Sequence, residues 1–128
     1  MLKLRKITKQ HKDFEDFFID DNTSIIDAIA KLNMTKNIVF VLSAKNNILL
    51  GSLTDGDVRR ALLKGFDTSA LVSKAMQSRP SFVEDPTSDE ECLKVMANNK
   101  ISSLPILNSE KQVIELVLND NSSKILLN

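Results

Sequence analysis

The sequence predicts an α+β fold made of two pseudo-symmetric repeats, each a helix–strand–strand–helix unit with a small sheet. The first reason is internal similarity, because the chain matches itself at a shift of 64 residues. The second is that both copies pass from a helical apolar period to two short apolar runs separated by a polar turn. A unit of about 50–60 residues buries little apolar surface alone, so the two copies are expected to pack about a pseudo-twofold axis.

Each copy begins with a predicted helix. A Thr-Ser pair occurs at 23–24 and again at 87–88, where a hydroxyl oxygen can accept from the free N–H groups of a first helical turn. The second copy also has capping-box spacing, from Thr87 to Glu90 or one position further along the chain. Apolar side chains then recur at helical spacing. They are Ile25, Ile29 and Leu32 in the first copy, and Cys92, Leu93 and Met96 in the second.

Two short strands joined by a polar turn are predicted after each helix. They lie at residues 38–42 and 48–53 in the first copy, and at 104–107 and 112–118 in the second. In the first copy a further helix is predicted from Val58 to Lys64, and Gly65 can terminate it.

These elements predict five segments along the chain. They are an N-terminal extension (1–15), repeat 1 (16–66), a linker (67–78), repeat 2 (79–121) and a C-terminal tail (122–128). Where the extension meets repeat 1, Phe14, Phe17 and Phe18 have the spacing of an amphipathic segment. We expect this segment to pack on the paired repeats.

Composition argues against several classes of function. There are 17 basic and 17 acidic residues, so binding to nucleic acid or to an anionic membrane through bulk charge is not expected. No apolar run is long enough to span a bilayer, and the basic start lacks the apolar stretch of a secretion signal. One cysteine cannot form an internal disulfide, which favours a cytoplasmic location.

Few residues are candidates for metal binding or catalysis. Cys92 falls on an apolar helical stripe and is interpreted as a core residue, and His11 as a surface residue. The acidic cluster at 85–91 is interpreted as favourable charge at a helix N-terminus, so no metal is predicted. Because no nucleophile–base pair occurs either, we expect no catalytic activity from this chain.

The polar stretch GSLTDGDVRRALLKG, at residues 51–65, follows an apolar strand and opens a helix. One interpretation is a structural turn with an N-cap, in which Gly56 takes unusual backbone angles. The other is a binding site for an anion or a sugar. Composition and spacing leave both interpretations open.

Two motifs resemble those of tandem cystathionine-β-synthase (CBS) domains, and the resemblance covers about residues 16–120. Residues 51–57, GSLTDGD, are similar to the ribose-binding motif G-x-x-T-x-x-D of that family, and residues 101–106, ISSLPI, to its strand motif. The longer stretch TDGDVRRALLKG resembles the CBS pair at the N-terminus of sugar-phosphate nucleotidyltransferases. A close variant occurs in the CBS pair of arabinose-5-phosphate isomerases.

The resemblance implies a nucleotide site in the first copy. Asp57 would accept hydrogen bonds from both ribose hydroxyls, and Thr54 would contact phosphate or ribose. The helix that begins there directs free N–H groups toward the phosphates, and Arg59 or Arg60 could bind an anion or remain a solvated helix charge. The other residues assigned to the site are Gly51, Ser52, Leu53 and Asp55, with Val39 and Phe40 expected against the base.

The second copy departs from this motif. The same shift of 64 residues places Glu115, Leu118 and Asn121 where the first copy has Gly51, Thr54 and Asp57. An asparagine side chain lacks the acceptor capacity of a carboxylate, so we expect the second site to be degenerate and one ligand to bind per chain.

By resemblance, the expected function is a regulatory module that binds AMP, ADP, ATP or a nucleotide sugar and tunes an attached or partner nucleotidyltransferase. The catalytic domain of such an enzyme is expected to be absent from this chain, which has no G-G-x-G-x-R loop. No obligatory cofactor is expected, and besides that enzyme the expected partner is a second copy of the chain in a homodimer. Two alternatives are a dimerisation module with a vestigial site and the regulatory CBS pair of an arabinose-5-phosphate isomerase-like enzyme.

Overall fold

A computed structural model describes residues 4–35 and 37–119. The chain divides into two compact units, one formed by residues 15–80 and the other by the segments before and after it. We call them the repeat-1 unit and the repeat-2 unit. The elements in chain order are β1 (Leu4–Thr8), β2 (Phe18–Asp20), α1 (Ile25–Leu32), β3 (Ile38–Leu42), β4 (Leu49–Thr54), α2 (Asp55–Leu63), β5 (Val83–Glu84), α3 (Asp89–Asn99), β6 (Ser103–Leu107) and β7 (Val113–Asn119).

The predicted α+β class is confirmed, and each unit has its own sheet. In the repeat-1 unit the strand order is β2-β3-β4, and in the repeat-2 unit it is β1-β7-β6-β5. The first strand of each repeat pairs in parallel with the second, and the second pairs antiparallel with the third. Each unit therefore uses the same three-stranded arrangement, and the repeat-2 sheet gains β1 at its edge.

The predicted helix starts are confirmed. The hydroxyl oxygen of Ser24 accepts from the N–H of Asp27 at 3.3 Å, and that of Ser88 accepts from the N–H of Glu91 at 3.1 Å. Each bond satisfies one of the N–H groups that a first helical turn leaves without a partner. The serine of each Thr-Ser pair is thus the N-cap residue.

The register of the two hairpins shows how closely the copies match. Val39 pairs with Leu53 in the repeat-1 unit, and Leu104 pairs with Val117 in the repeat-2 unit. In both hairpins the pairing register also shifts at the same place. The shift follows the pair of Val41 with Gly51 in one hairpin and the pair of Ile106 with Glu115 in the other. The shift of 64 residues holds for β4 and β7 but becomes 65 for β3 and β6, so the second copy has one extra residue between helix and strand.

The N-terminal extension contains a strand that the sequence pattern did not reveal. Residues Leu4–Thr8 form β1, which pairs antiparallel with β7 and places Ile7 opposite Leu116. Ile7 is 1% exposed, whereas both neighbouring side chains are exposed or charged. A single buried position gives too little alternation to identify a strand, and only the pairing with β7 defines it.

Each unit has its own apolar core. In the repeat-1 unit the predicted stripe residue Leu32 packs with Val39, Leu53 and Val58. In the repeat-2 unit Cys92 is fully buried in the same cluster as Met96, which belongs to the same predicted stripe. Burial raises the pKa of the Cys92 thiol. This placement supports the interpretation of Cys92 as a core residue. Within the described ranges no helix is long and apolar enough to cross a bilayer.

Candidate functional site

The turn from β4 to α2 is closed by a reciprocal cap between Thr54 and Asp57. Thr54 is the N-cap residue of α2, and its hydroxyl oxygen accepts from the N–H of Asp57 at 3.2 Å. In return, Oδ2 of Asp57 accepts from the backbone N–H and from the hydroxyl of Thr54, both at 2.9 Å. These reciprocal bonds form a capping box. The motif therefore does act as a turn with an N-cap, and this role occupies Oδ2 of the Asp57 carboxylate.

The other oxygen, Oδ1, accepts from two side chains that lie outside the cap. Nη2 of Arg60 donates at 2.6 Å, and Nε2 of Gln77 donates at 2.9 Å. Together the four donors cover the carboxylate, since the Asp57 side chain is 2% exposed while the Arg60 side chain is 62% exposed. A buried carboxylate is thus held at the start of a helix beneath exposed side chains.

The surroundings of Asp57 keep it ionised. Burial by itself raises the pKa of the carboxyl group, but hydrogen bonds from Gln77, from the Thr54 N–H, from Arg60 and from the Thr54 hydroxyl outweigh it. The net result is a pKa below the ordinary value of 3.8. Hydrogen bonds that favour the charged form lower the pKa in this way.

The lowered pKa predicts a specific pH dependence of stability. A carboxyl group with a depressed pKa in the folded state adds stability above its unfolded pKa, and this contribution is lost as the pH falls through the folded value. Asp57→Asn should therefore destabilise the protein more at about pH 6 than at about pH 3, measured by urea unfolding at both pH values. The matched control Asp89→Asn changes an exposed carboxylate, whose effect has a separate origin in the ion pair with Lys6. Equal destabilisation by Asp57→Asn at the two pH values would contradict the assignment.

Gly51 is required for a close approach between β4 and a later segment. Ser52 and Gln77 exchange two backbone hydrogen bonds, of 3.0 and 2.8 Å, across β4. A Cβ atom on Gly51 would lie 2.6 Å from the carbonyl oxygen of Gln77 and 2.8 Å from Sδ of Met76. The glycine of the motif therefore has a packing function, because only a residue without Cβ fits there.

Gly56 does not take the backbone angles expected from the sequence, so that expectation is wrong. It is the second residue of α2, and the described glycine with a positive φ is Gly65, at 102°. Gly65 lies just after α2, as predicted for a helix terminator, and its N–H donates to the carbonyl of Leu62 at 3.0 Å. Helix α2 begins at Asp55, three residues before the predicted start, because the cap is Thr54.

The remaining predicted site residues fall into three groups. Leu53 and Val39 are fully buried in the repeat-1 core, and Phe40 is 2% exposed with its ring centroid 6.0 Å from that of Phe18. Asp55 and Arg59 are exposed and form an ion pair of 3.1 Å along α2. Ser52 contributes the backbone groups that bind Gln77. The assignment of all these residues to a nucleotide stays a prediction.

In the second copy the corresponding residues make a different structure. Glu115 lies on β7 and pairs with Ile106 and with Thr8 of β1, whereas Gly51 leaves room for Gln77 and Met76. Leu118, at the position of Thr54, is buried and has no hydroxyl with which to cap a helix. Asn121 lies outside the described residues. The degenerate second site stays a prediction.

Gln77 is the site residue that sequence reasoning missed. It belongs to the predicted linker and follows Asp57 by 20 residues. No motif or periodicity surrounds it, so its position beside the carboxylate depends on the path of the chain after α2.

Other polar groups on the protein are separate from this site. A surface groove of about 610 Å³ near the start of α1 is lined by residues such as Asp20, Asp27 and Lys31, and none of its lining residues belongs to the 51–57 motif. Among the residues that the structure describes, no group of three or more His, Cys, Asp or Glu side chains could hold a metal ion. The carboxylate of Asp57 is therefore the buried charged group around which the candidate site is built.

The two units share one strand arrangement, and in the repeat-1 unit a capped turn joins β4 to α2. Residues 12–64 match the CBS domain family, a range that contains β2, α1, β3, β4 and α2. The match covers about two fifths of the chain, and the fold corresponds to that of solved CBS pairs.

The curated relatives are longer proteins. An uncharacterised protein of Helicobacter pylori (strain J99) is 33% identical over 97 residues, which is 75% of this chain and 30% of the relative. Arabinose 5-phosphate isomerase KdsD of Francisella tularensis is 29% identical over 83 residues, or 64% of this chain and 25% of the relative. KdsD of Pseudomonas aeruginosa is 28% identical over 93 residues, which is 72% of this chain and 28% of that protein. The chain thus spans less than a third of the length of these relatives.

Solved structures share the fold at low sequence identity. Protein MJ1225 from Methanocaldococcus jannaschii, a putative archaeal homologue of γ-AMPK, has a TM-score of 0.71 and 18% identity, over 94% of this chain and 48% of its own. CBSX2 in complex with AMP has a TM-score of 0.69 and 22% identity, over 86% of both chains. The CBS domain pair of MJ0100, in complex with 5′-methylthioadenosine and S-adenosyl-L-methionine, has a TM-score of 0.65 and 18% identity, over 88% of this chain and 91% of that one.

Proposed function

We propose that this chain is a regulatory CBS module that binds one adenine nucleotide through Asp57. The observation that carries the proposal is the buried, ionised carboxylate at the N-terminus of α2, in a motif similar to the ribose-binding motif of CBS domains. A carboxylate can accept both hydroxyls of a vicinal diol, and the N-terminus of the helix favours a phosphate nearby. The AMP, methylthioadenosine and S-adenosyl-L-methionine bound by fold neighbours all carry a ribose next to adenine, which supports an adenine ligand.

The proposed role is to adjust the activity of an attached or associated sugar-phosphate enzyme, without catalysis by this chain. The stretch TDGDVRRALLKG is the basis for a nucleotidyltransferase as that enzyme. Two curated relatives are arabinose 5-phosphate isomerases, and this favours an isomerase over a nucleotidyltransferase. In both cases a nucleotide would signal to an enzyme that acts on a phosphorylated sugar.

The first test is titration of the protein with AMP, ADP and ATP by isothermal calorimetry. We expect one site per chain, and we expect Asp57→Asn to weaken binding at least tenfold, because an amide accepts fewer hydrogen bonds than a carboxylate. The control Asp89→Asn removes an exposed carboxylate from the first turn of α3 and should bind as the wild type does. Absence of heat with all three nucleotides at millimolar concentration would overturn the proposal.

A second candidate function is dimerisation with a vestigial site. It is favoured by large apolar side chains exposed on the helices of the repeat-1 unit, such as Ile26 at 52% and Leu63 at 81%. A ligand that binds only the folded state raises its stability, by about 2.7 kcal/mol at 100 times Kd. Under the dimerisation hypothesis, AMP leaves the melting temperature of the wild type and of Asp57→Asn unchanged. A rise in the wild type that is lost in Asp57→Asn selects the nucleotide-binding function.

A further inference from the structure

The two oxygens of the Asp57 carboxylate have partners of different kinds. Oδ2 is bound by Thr54, the N-cap residue, through groups that also close the first turn of α2. Oδ1 is bound by Arg60 and Gln77, whose residues are exposed. Moving Thr54 would open the helix, whereas Arg60 and Gln77 can rotate into solvent without disturbing the core. Oδ1 is therefore the oxygen that can change partners.

Gln77 stands at the end of a short segment, residues 72–77, that crosses the repeat-1 unit. At its start the N–H of Val72 donates to the carbonyl of Thr23 at 2.9 Å, and Val72 is fully buried. At its end Gln77 exchanges two backbone hydrogen bonds with Ser52, over the space left by Gly51. The backbone at Gln77 is thus held next to Asp57, since both ends of the segment are anchored, while the side chain stays free to rotate.

We propose that Gln77 and Arg60 form a latch that occupies the ribose-binding oxygen of Asp57 in the ligand-free protein and is displaced by ligand. This inference rests on the proposed function, because it assumes that the diol binds to Asp57. Two hydroxyl donors then replace an amide N–H and a guanidinium N–H, so the carboxylate remains satisfied after the exchange. Gln77 is in this view a competitor of the ligand.

The exchange also predicts which ligands succeed. Arg60 gives up a charge-assisted hydrogen bond of 2.6 Å to Asp57 when it leaves. A phosphate near the start of α2 offers the freed guanidinium a new anionic partner, whereas an uncharged nucleoside does not. The latch therefore selects a vicinal diol that carries a phosphate, and AMP should bind more tightly than adenosine.

Release of the latch changes the contacts of the segment that ends at Gln77. Gln77 leads directly into the chain that continues to β5 at Val83. When the Gln77 side chain leaves Asp57, its segment loses one of its contacts with the repeat-1 unit and keeps the backbone bonds to Ser52. Ligand occupancy is thus reported at the residues that follow Gln77.

The test measures AMP affinity by calorimetry in the wild type, Gln77→Ala and Gln77→Met. Each variant lacks the competing N–H, and we expect about tenfold tighter binding of AMP, since a hydrogen bond to a charged group is being removed from the free state. Ser78→Ala, an exposed neighbour in the same segment, is the matched control and should leave the affinity unchanged. Adenosine should bind more weakly than AMP to every one of these proteins.

A second measurement keeps the proposal testable if the variants fold poorly. The side-chain amide signals of Gln77 in ¹⁵N-labelled wild type should move toward solvent-exposed values when AMP is added. Unchanged Gln77 signals, or equal AMP affinity in the wild type and both variants, would overturn the latch while leaving nucleotide binding intact. Absence of AMP binding in every protein would instead overturn the proposed function, and the latch with it.

Discussion

Phe40→Ala is expected to lower the free energy of unfolding by about 3–5 kcal/mol, the usual cost of truncating a buried phenylalanine. Phe40 lies on β3, the central strand of the repeat-1 sheet, and is 2% exposed. Its ring centroid is 6.0 Å from that of Phe18 on β2, so the substitution removes an aromatic contact and leaves a cavity. Urea unfolding followed by circular dichroism measures the loss.

Phe66→Ala is the matched control, because it removes the same ring from a position that is 38% exposed. Its cost should be clearly smaller, and a similar cost for both variants would show that Phe40 is not a core residue.

A substitution at Phe40 also tests the predicted contact with the base. Phe40→Leu keeps most of the apolar volume, so weaker AMP binding by a stably folded Phe40→Leu would support a role of the ring in the site.

Gly51→Val is expected to destabilise the repeat-1 unit by about 1–3 kcal/mol, the typical cost of overpacking. The nearest atom to a new Cβ is the backbone oxygen of Gln77, at 2.6 Å, and a backbone atom cannot rotate away as a side chain can. Relief of the contact requires Gln77 to move off β4, which breaks its two backbone hydrogen bonds with Ser52. The measurement is the midpoint of thermal or urea unfolding.

Gly56→Ala is the control for Gly51→Val. A Cβ on Gly56 would meet its nearest neighbour at 3.5 Å, which is ordinary contact, and the residue lies within α2. Alanine has the higher helix propensity, so this variant should be neutral or more stable by up to about 1 kcal/mol. Equal stability of the Gly51→Val protein and the wild type would show that the segment of Gln77 does not pack on Gly51.

Much of the fold could be predicted because it depends on local signals that occur twice. The cap residues Ser24 and Ser88, and strand β3, were found from short patterns of hydroxyl and apolar residues. The strands β2 and β5 were missed, and they are only 3 and 2 residues long. A segment of that length has too few residues for a period, so pairing with β3 and β6 defines it.

The candidate site shows the same division. The motif from Gly51 to Asp57 was identifiable from the sequence, together with the possibility that Thr54 and Asp57 form a cap. The roles of the glycines were not identifiable, because Gly51 matters through its distance from Gln77 and Gly56 takes ordinary helical angles. Proximity between residues far apart in the chain is not encoded in local spacing.

The amino-acid sequence by itself determined the duplication, the helix caps and the position of an acidic residue where β4 meets α2. These features depend on residues within a few positions of one another, whose side chains and backbone interact whatever the rest of the chain does. Only the tertiary structure decided that β1 would extend the repeat-2 sheet and that Arg60 and Gln77 would share one oxygen of Asp57. A buried carboxylate needs hydrogen-bond donors, and these can come from residues far away in the chain. Here Gln77 is such a donor, and the sequence predicts only a linker at its position.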